Sequence, residues 1–449
     1  MDTTKTGKKI FLASLAVAAV ACGDSNEPAG PVIPDKPSGD KAASMVIYQV
    51  NPRFYGESDC LKAVTDDISR IADMGCDVIW LMPIYEIGVK NSIGSPYCVK
   101  DYKSVAASLG TMEDLKELVS VAHGKGLDVI LDWVANHTSW DNTWTITNPE
   151  RYAKDANGNI AATPSWGDVA QLDYSVESTR TGMKEAMKFW IEQADIDGFR
   201  CDYAEGVPHS FWKEAITELR AEDPDVIMLA ESSRTDFYAD GFDMVYDWNF
   251  APAMKTLFNG GKPAAFHDYV TGSNAKIPSG KTILRYAFNH DVAAENEVDR
   301  MFGAPEGVPA AYVLAAMSNS TPMIYSSMDV EGLKGKLSFF NHRKLDFSPE
   351  LTATYKAINN AFKVSAEARG GELKNYAQNE AVVFSRENGG KTLLVMVNPS
   401  AKAISVKTPI SFTGMQVSEL ISGEETSLPV MTDIPAYGYK ICLLYTSPS

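Results

Sequence analysis

The one conspicuous apolar run in this 449-residue chain, Ile10 to Ala21, spans twelve residues, where a helix crossing a bilayer needs about 20. A transmembrane anchor is therefore the weaker reading there. Basic charge is also short, with 41 Lys plus Arg against 58 Asp plus Glu and a net charge of -17. That balance disfavours a phosphate backbone or an anionic membrane surface, so no nucleic acid partner is expected and a neutral substrate fits better. Cysteine is sparse and unpatterned: residues 22, 60, 76, 98, 201 and 442 include no CxxC pair and no zinc-type Cys/His spacing, which excludes a structural zinc finger. Cys76 and Cys201 fall in apolar stretches, where a lone thiol acts as a small filler. Cys60 and Cys98 are the pair open to bridging in an oxidising compartment.

What the N-terminus does contain is a short address. Lys8 and Lys9 precede the apolar run, and Ala19, Val20 and Ala21 precede Cys22, the order of a lipoprotein signal with a small-residue cleavage site. Residues 1–21 are thus expected to be a signal peptide, Cys22 the lipidated residue, and residues 22–44 a flexible tether, since Gly23 to Asp40 is rich in Pro, Gly and acid. The expected protein is an exported monomer, held by its lipid at the periplasmic or surface side of the outer membrane and touching the membrane only there, or otherwise secreted. Residues 442–449 break the preceding pattern and resemble adapter-derived translation, so they are expected to stand outside the fold.

From Met45 onward, short β-rich runs alternate with amphipathic stretches, as in a parallel α/β fold. The expected strands are 46–50, 78–82, 127–132, 198–202, 226–230, 244–246, 282–288 and 322–326, the count required by a closed (β/α)8 TIM barrel. Met112 to Gly124 carries Leu115, Leu118, Val119 and Ala122 at helical spacing. One interval is too long for a connector. Residues 137–174 therefore read as an inserted domain that divides the barrel into residues 45–136 and 175–369. Its Trp140, Trp144, Tyr152 and Trp166 serve equally well as sugar-stacking faces or as the insertion's own core. Residues 370–441, with short alternating runs, read as a C-terminal antiparallel β-sandwich.

Four stretches at strand ends concentrate the polar chemistry: Asp132 to Thr138, Gly198 to Gly206, Leu229 to Ser232 and Phe288 to Asp291. In a barrel, such residues converge on one face. Arg200 and Asp202, two apart on a strand, share the inward face, and an adjacent guanidinium is expected to lower the carboxyl's pKa, as suits a nucleophile. Glu231, desolvated near other acids, is expected to have a raised pKa and to protonate a leaving oxygen. Asp291 would supply a third negative charge, while His137 and His290 would donate to ring hydroxyls. Such a carboxyl pair on adjacent strands suits glycoside hydrolysis with retention.

With these residues in view, residues 45–441 resemble the α-amylase family, glycoside hydrolase family 13, whose four signature regions match the four stretches in order. The resemblance implies that Asp202 is the nucleophile, Glu231 the general acid/base and Asp291 the transition-state stabiliser. It implies that Arg200, His137 and His290 line the sugar-binding subsite, with Tyr97 of the Ser95 to Tyr102 loop stacking on the same sugar. The substrate would be an α-1,4-linked glucan or maltooligosaccharide. No cofactor is required for the chemistry, but Asn136 matches a position that often binds structural calcium. Glu205 and Gly206 stand where many members have Lys and His, and the Ser326 to Asp329 run also departs from the usual pattern. The same residues leave open an α-glucanotransferase, an enzyme of α-1,6 or other α-glucosidic specificity, and, from another class, a non-catalytic glycan-binding lipoprotein.

Overall fold

A computed structural model describes residues 41–445. The expected signal peptide, Cys22 and residues 22–40 of the tether lie outside the described residues. The remainder of the expected tether is ordered: Lys41–Ser44 is a short helix, and the Ala42 carbonyl accepts from the Thr321 hydroxyl at 2.7 Å.

Eight parallel strands close into a barrel in chain order: Ile47–Val50, Val78–Leu81, Asp128–Trp133, Gly198–Cys201, Ile227–Ala230, Met244–Tyr246, Thr282–Tyr286 and Thr321–Tyr325. Closure comes from pairing of the first strand with the last, Gln49 against Tyr325. The strands read as continuous apolar runs because helices cover their outer face and side chains fill the interior. Gly198 is required where the fourth strand meets the fifth, since a Cβ there would lie 2.0 Å from the Ile227 carbonyl oxygen. The helix Met112–Gly124 forms as its apolar spacing requires, and a capping box between Thr111 and Asp114 satisfies its first turn.

The insertion is built on a two-stranded hairpin-like pair, His137–Ser139 antiparallel to Val169–Gln171. Its aromatic residues divide between the two roles left open by the sequence. Tyr152 is buried and bonded to Thr138, while Trp144 packs between Tyr102 and Arg151. Trp140 is partly buried with its indole N–H on the Gly167 carbonyl. Trp166, 41% exposed, faces the cleft.

After the helix Pro349–Val364, the C-terminal region forms a six-stranded antiparallel sheet and a separate two-stranded sheet, Ile404–Lys407 with Met431–Ile434. Alternate residues of the central strands explain their unbroken apolar sequence. Val383, Leu394 and Met396 pack with Val406 and Ile434 of the smaller sheet, while Val382, Phe384, Leu393 and Val395 join the cluster that includes the barrel core. The expectation that the fold ends before Cys442 is corrected. Tyr439–Tyr445 is a strand paired on one side with Lys391–Val397 and on the other with Gln416–Glu419, and Cys442, Leu443 and Leu444 are buried. Of residues 442–449, 446–449 lie outside the described residues. The bridge between Cys60 and Cys98 is likewise not formed; both are free thiols, facing the carbonyls of Gly56 and Asp168.

Candidate active site

The inward parity of the barrel strands builds the floor of the site. Gln49, Trp80, Asp132, Arg200 and Tyr246 lie at the carboxyl ends of five strands, and all five side chains are buried or nearly so. Arg200 is the hub. Its Nη1 lies 2.7 Å from Asp132 Oδ1 and 3.0 Å from Asp202 Oδ1, and its Nε donates to the Tyr246 hydroxyl at 3.1 Å. Nη2 lies 2.8 Å from Glu231 Oε2, a close contact without hydrogen-bond alignment. The guanidinium also sits over the Trp80 ring, 5.1 Å from its centroid.

Asp132 was not singled out from the sequence, although it ends a strand with inward parity. It accepts from Trp80 Nε1 at 3.1 Å and from the Tyr97 hydroxyl at 3.0 Å, so it anchors Arg200 and Tyr97 together. Tyr97 also lies 2.8 Å from His290 Nε2, with the two rings stacked. Gln49 Nε2 is 2.7 Å from His290 Nδ1. Because the Tyr97 proton goes to Asp132, the network assigns His290 as the Nε2–H tautomer, with Gln49 donating to Nδ1. Asp291 Oδ2 lies 3.3 Å from His290 Nε2 and 3.4 Å from Asn289 Nδ2. His137 sits at the same rim, its ring 5.7 Å from Trp166. The structure thus brings Tyr97, His137, Arg200, Asp202, Glu231, His290 and Asp291 to one cleft.

Four carboxyl groups surround one guanidinium, so they cannot all ionise cheaply in a desolvated site. Burial pushes Glu231 up to about 8; Arg200 opposes this and the charges of Asp202 and Asp291 add to it. Burial likewise carries Asp132 to about 6 against the pull of Arg200, and Asp291 is raised for the same reason. The expectation that Arg200 holds Asp202 below the ordinary range is corrected. Burial outweighs the guanidinium and lifts Asp202 to about 7, with the charges of Asp132 and Asp291 also raising it. Burial lowers His137 to about 4 and drives His290 well below its usual value, leaving both imidazoles neutral at pH 7.

Tyr203 was also missed. Its left-handed backbone, φ 38°, turns its N–H onto Glu231 Oε2 at 2.6 Å. Its half-exposed ring meets Trp166 edge to face at 5.2 Å. Gly206 makes room for this arrangement: a Cβ there would come within 2.6 Å of Tyr203 Cδ1 and 2.4 Å of Asn136 Oδ1. Glu205 accepts from the Ser232 hydroxyl at 2.6 Å.

The residues at Asn136 do not fit calcium. Gln171 Nε2 lies 3.0 Å from the Asn136 carbonyl oxygen, 3.1 Å from Asn136 Oδ1 and 3.2 Å from the Leu172 carbonyl oxygen. These are N–H···O lengths, whereas calcium holds oxygen at about 2.3–2.6 Å. The space between the oxygens is filled by a nitrogen carrying protons. Among the described residues, no group of three or more His, Cys, Asp or Glu is placed to hold a metal.

Residues 47–158 match the family model of the α-amylase catalytic domain. The chain is similar to the α-amylase MalA of Haloarcula japonica, 25% identical over 85% of this chain and 59% of that protein. It is also similar to a cyclomaltodextrinase of Geobacillus thermopakistaniensis, 23% identical over 86% of this chain and 70% of that protein. The chain therefore spans somewhat more than half the length of the first of these relatives. Among solved structures, the maltogenic α-amylase AmyB of Thermotoga neapolitana shares the fold with a TM-score of 0.79, at 24% identity, covering 90% of this chain and 99% of that one.

Proposed function

We propose that this chain, whose residues 47–158 match the α-amylase catalytic-domain model, is a retaining glycoside hydrolase that cleaves α-1,4-glucosidic bonds in starch or maltooligosaccharides. The observation that carries this reading is the meeting of Asp202 and Glu231 on opposite nitrogens of the Arg200 guanidinium, with Asp291 beside them at His290. In this mechanism Asp202 attacks the anomeric carbon while Glu231 gives its proton to the departing glycosidic oxygen. A glycosyl ester forms on Asp202; Glu231 then takes a proton from water, which displaces the sugar with net retention.

The protonation states follow from the charges. Glu231, at about 8, keeps its proton at neutral pH, and the negative charge on Asp202 reinforces that proton. Asp202 ionises against Arg200 while its partner stays neutral, giving one acid and one nucleophile from two carboxyls. Asp291 faces the positive charge that develops on the sugar ring. Neutral His137 and His290 and the Tyr97 ring contact its hydroxyls, and Trp166 with Tyr203 offers an aromatic rim next to Glu231.

The order Lys8, Lys9, Ile10 to Ala21, Cys22 supports export and lipidation on Cys22. The test of function is a time course of products from maltoheptaose, resolved by chain length and anomer. Shorter sugars released first as α-anomers are the expected result. Products longer than the substrate would make the protein a transferase, and an unchanged substrate would leave it a binding protein.

A further inference from the structure

The departure at Asn136 has a positive side. Three oxygens, one side-chain and two backbone, converge on Gln171 Nε2 as they would on a small cation. All three are acceptors, so the amide must present its nitrogen and not its oxygen to them. Two hydrogens serve three oxygens, with one bond shared.

The location gives this cluster its purpose. Asn136 is the last residue before the insertion. Gln171 closes the insertion's second strand, in register with His137, and the Leu172 N–H returns to the Asn136 carbonyl at 3.3 Å. Asn136 is 2% exposed and its Nδ2 lies 3.2 Å from His137 Nδ1, so the same cluster sets the ring that lines the cleft. The close passage of Gly206 seals the other side.

We propose that the Gln171 side-chain amide takes the place of a calcium ion, clipping both ends of the insertion to the barrel rim, so that this protein's insertion is held without a metal at Asn136. A neutral amide makes weaker individual contacts than a divalent cation, but it needs no carboxylates, and none of the three oxygens around it comes from one.

The test is thermal unfolding of the full-length protein and of Gln171→Leu and Gln171→Glu, each in a chelator and in millimolar calcium. Wild-type protein is expected to unfold at the same temperature in both. Gln171→Leu, which leaves the buried oxygens without a donor, is expected to unfold at least about 2 °C lower in both, with faster proteolysis within residues 137–171. Gln171→Glu completes an oxygen cage and is expected to be destabilised in chelator and restored by calcium. Wild-type protein stabilised by calcium as strongly as Gln171→Glu would overturn the proposal, because a cation would then be displacing the amide. It would also fall if Gln171→Leu unfolded like wild type, or if Gln171→Glu ignored calcium. None of these readouts depends on which sugar is cleaved.

Discussion

The guanidinium of Arg200 and the carboxylate of Asp132, both fully buried, meet at 2.7 Å beneath the cleft, and from this pair the remaining acids are positioned. Removing Asp132 takes from the buried Arg200 guanidinium its closest carboxylate and leaves Asp202 and Glu231 as its remaining partners; breaking a buried pair costs up to about 3–5 kcal/mol. Asp132→Leu is therefore expected to lower the unfolding temperature markedly and to abolish turnover together, by releasing Arg200 and Tyr97. Denaturant unfolding checks this; a stable Asp132→Leu protein would show that the pair is not the floor of the site.

Stability should depend on pH through the same cluster. Asp132, Asp202 and Glu231 stand at about 6, 7 and 8 in the fold, above ordinary carboxyls near 4. The folded state thus holds protons that the unfolded chain releases. Their stabilising contribution is complete below about pH 4 and is lost as the pH climbs through these values. Compared with wild type, Glu231→Gln should lose less stability between pH 6 and 9, measured by thermal unfolding across that range. Parallel curves for the two proteins would contradict the raised value.

Activity should show the complementary limb. Turnover needs the proton on Glu231, so kcat/KM is expected to fall above about pH 8 as that proton leaves. A pH–rate profile still rising at pH 9.5 would remove Glu231 from the role of acid.

Tyr97→Phe deletes a hydroxyl bonded to the buried Asp132 and to His290. A hydrogen bond to a charged group is worth about 1.5–3 kcal/mol, so kcat/KM is expected to fall about 10- to 150-fold while the fold persists. Steady-state kinetics with circular dichroism of the variant make the comparison.

Much of this was legible in the chain. β-rich apolar runs alternating with amphipathic stretches located all eight strands, and strand parity placed Arg200 and Asp202 on one face, because side-chain alternation in a strand is local. Pairings across the barrel were not legible. Asp132 meets Arg200 through the register of neighbouring strands, and Gln49 meets His290 across barrel closure; neither spacing appears in sequence. The direction of the Asp202 shift was misread because a nearby guanidinium is visible in Gly198 to Asp202, whereas the depth of burial that outweighs it is not. Cys442 to Leu444 looked foreign to the preceding pattern, yet their alternation fits a strand covered on both faces.

The central claim is that Asp202 carries the sugar. Glu231→Gln mixed with α-maltosyl fluoride tests it most directly, since fluoride leaves without an acid but water then lacks its base, so the ester accumulates. Mass spectrometry of the digested protein should find one maltosyl group on the peptide containing Asp202. A maltosyl group on another carboxyl, or fluoride release at wild-type rate with no labelled peptide, would contradict the account.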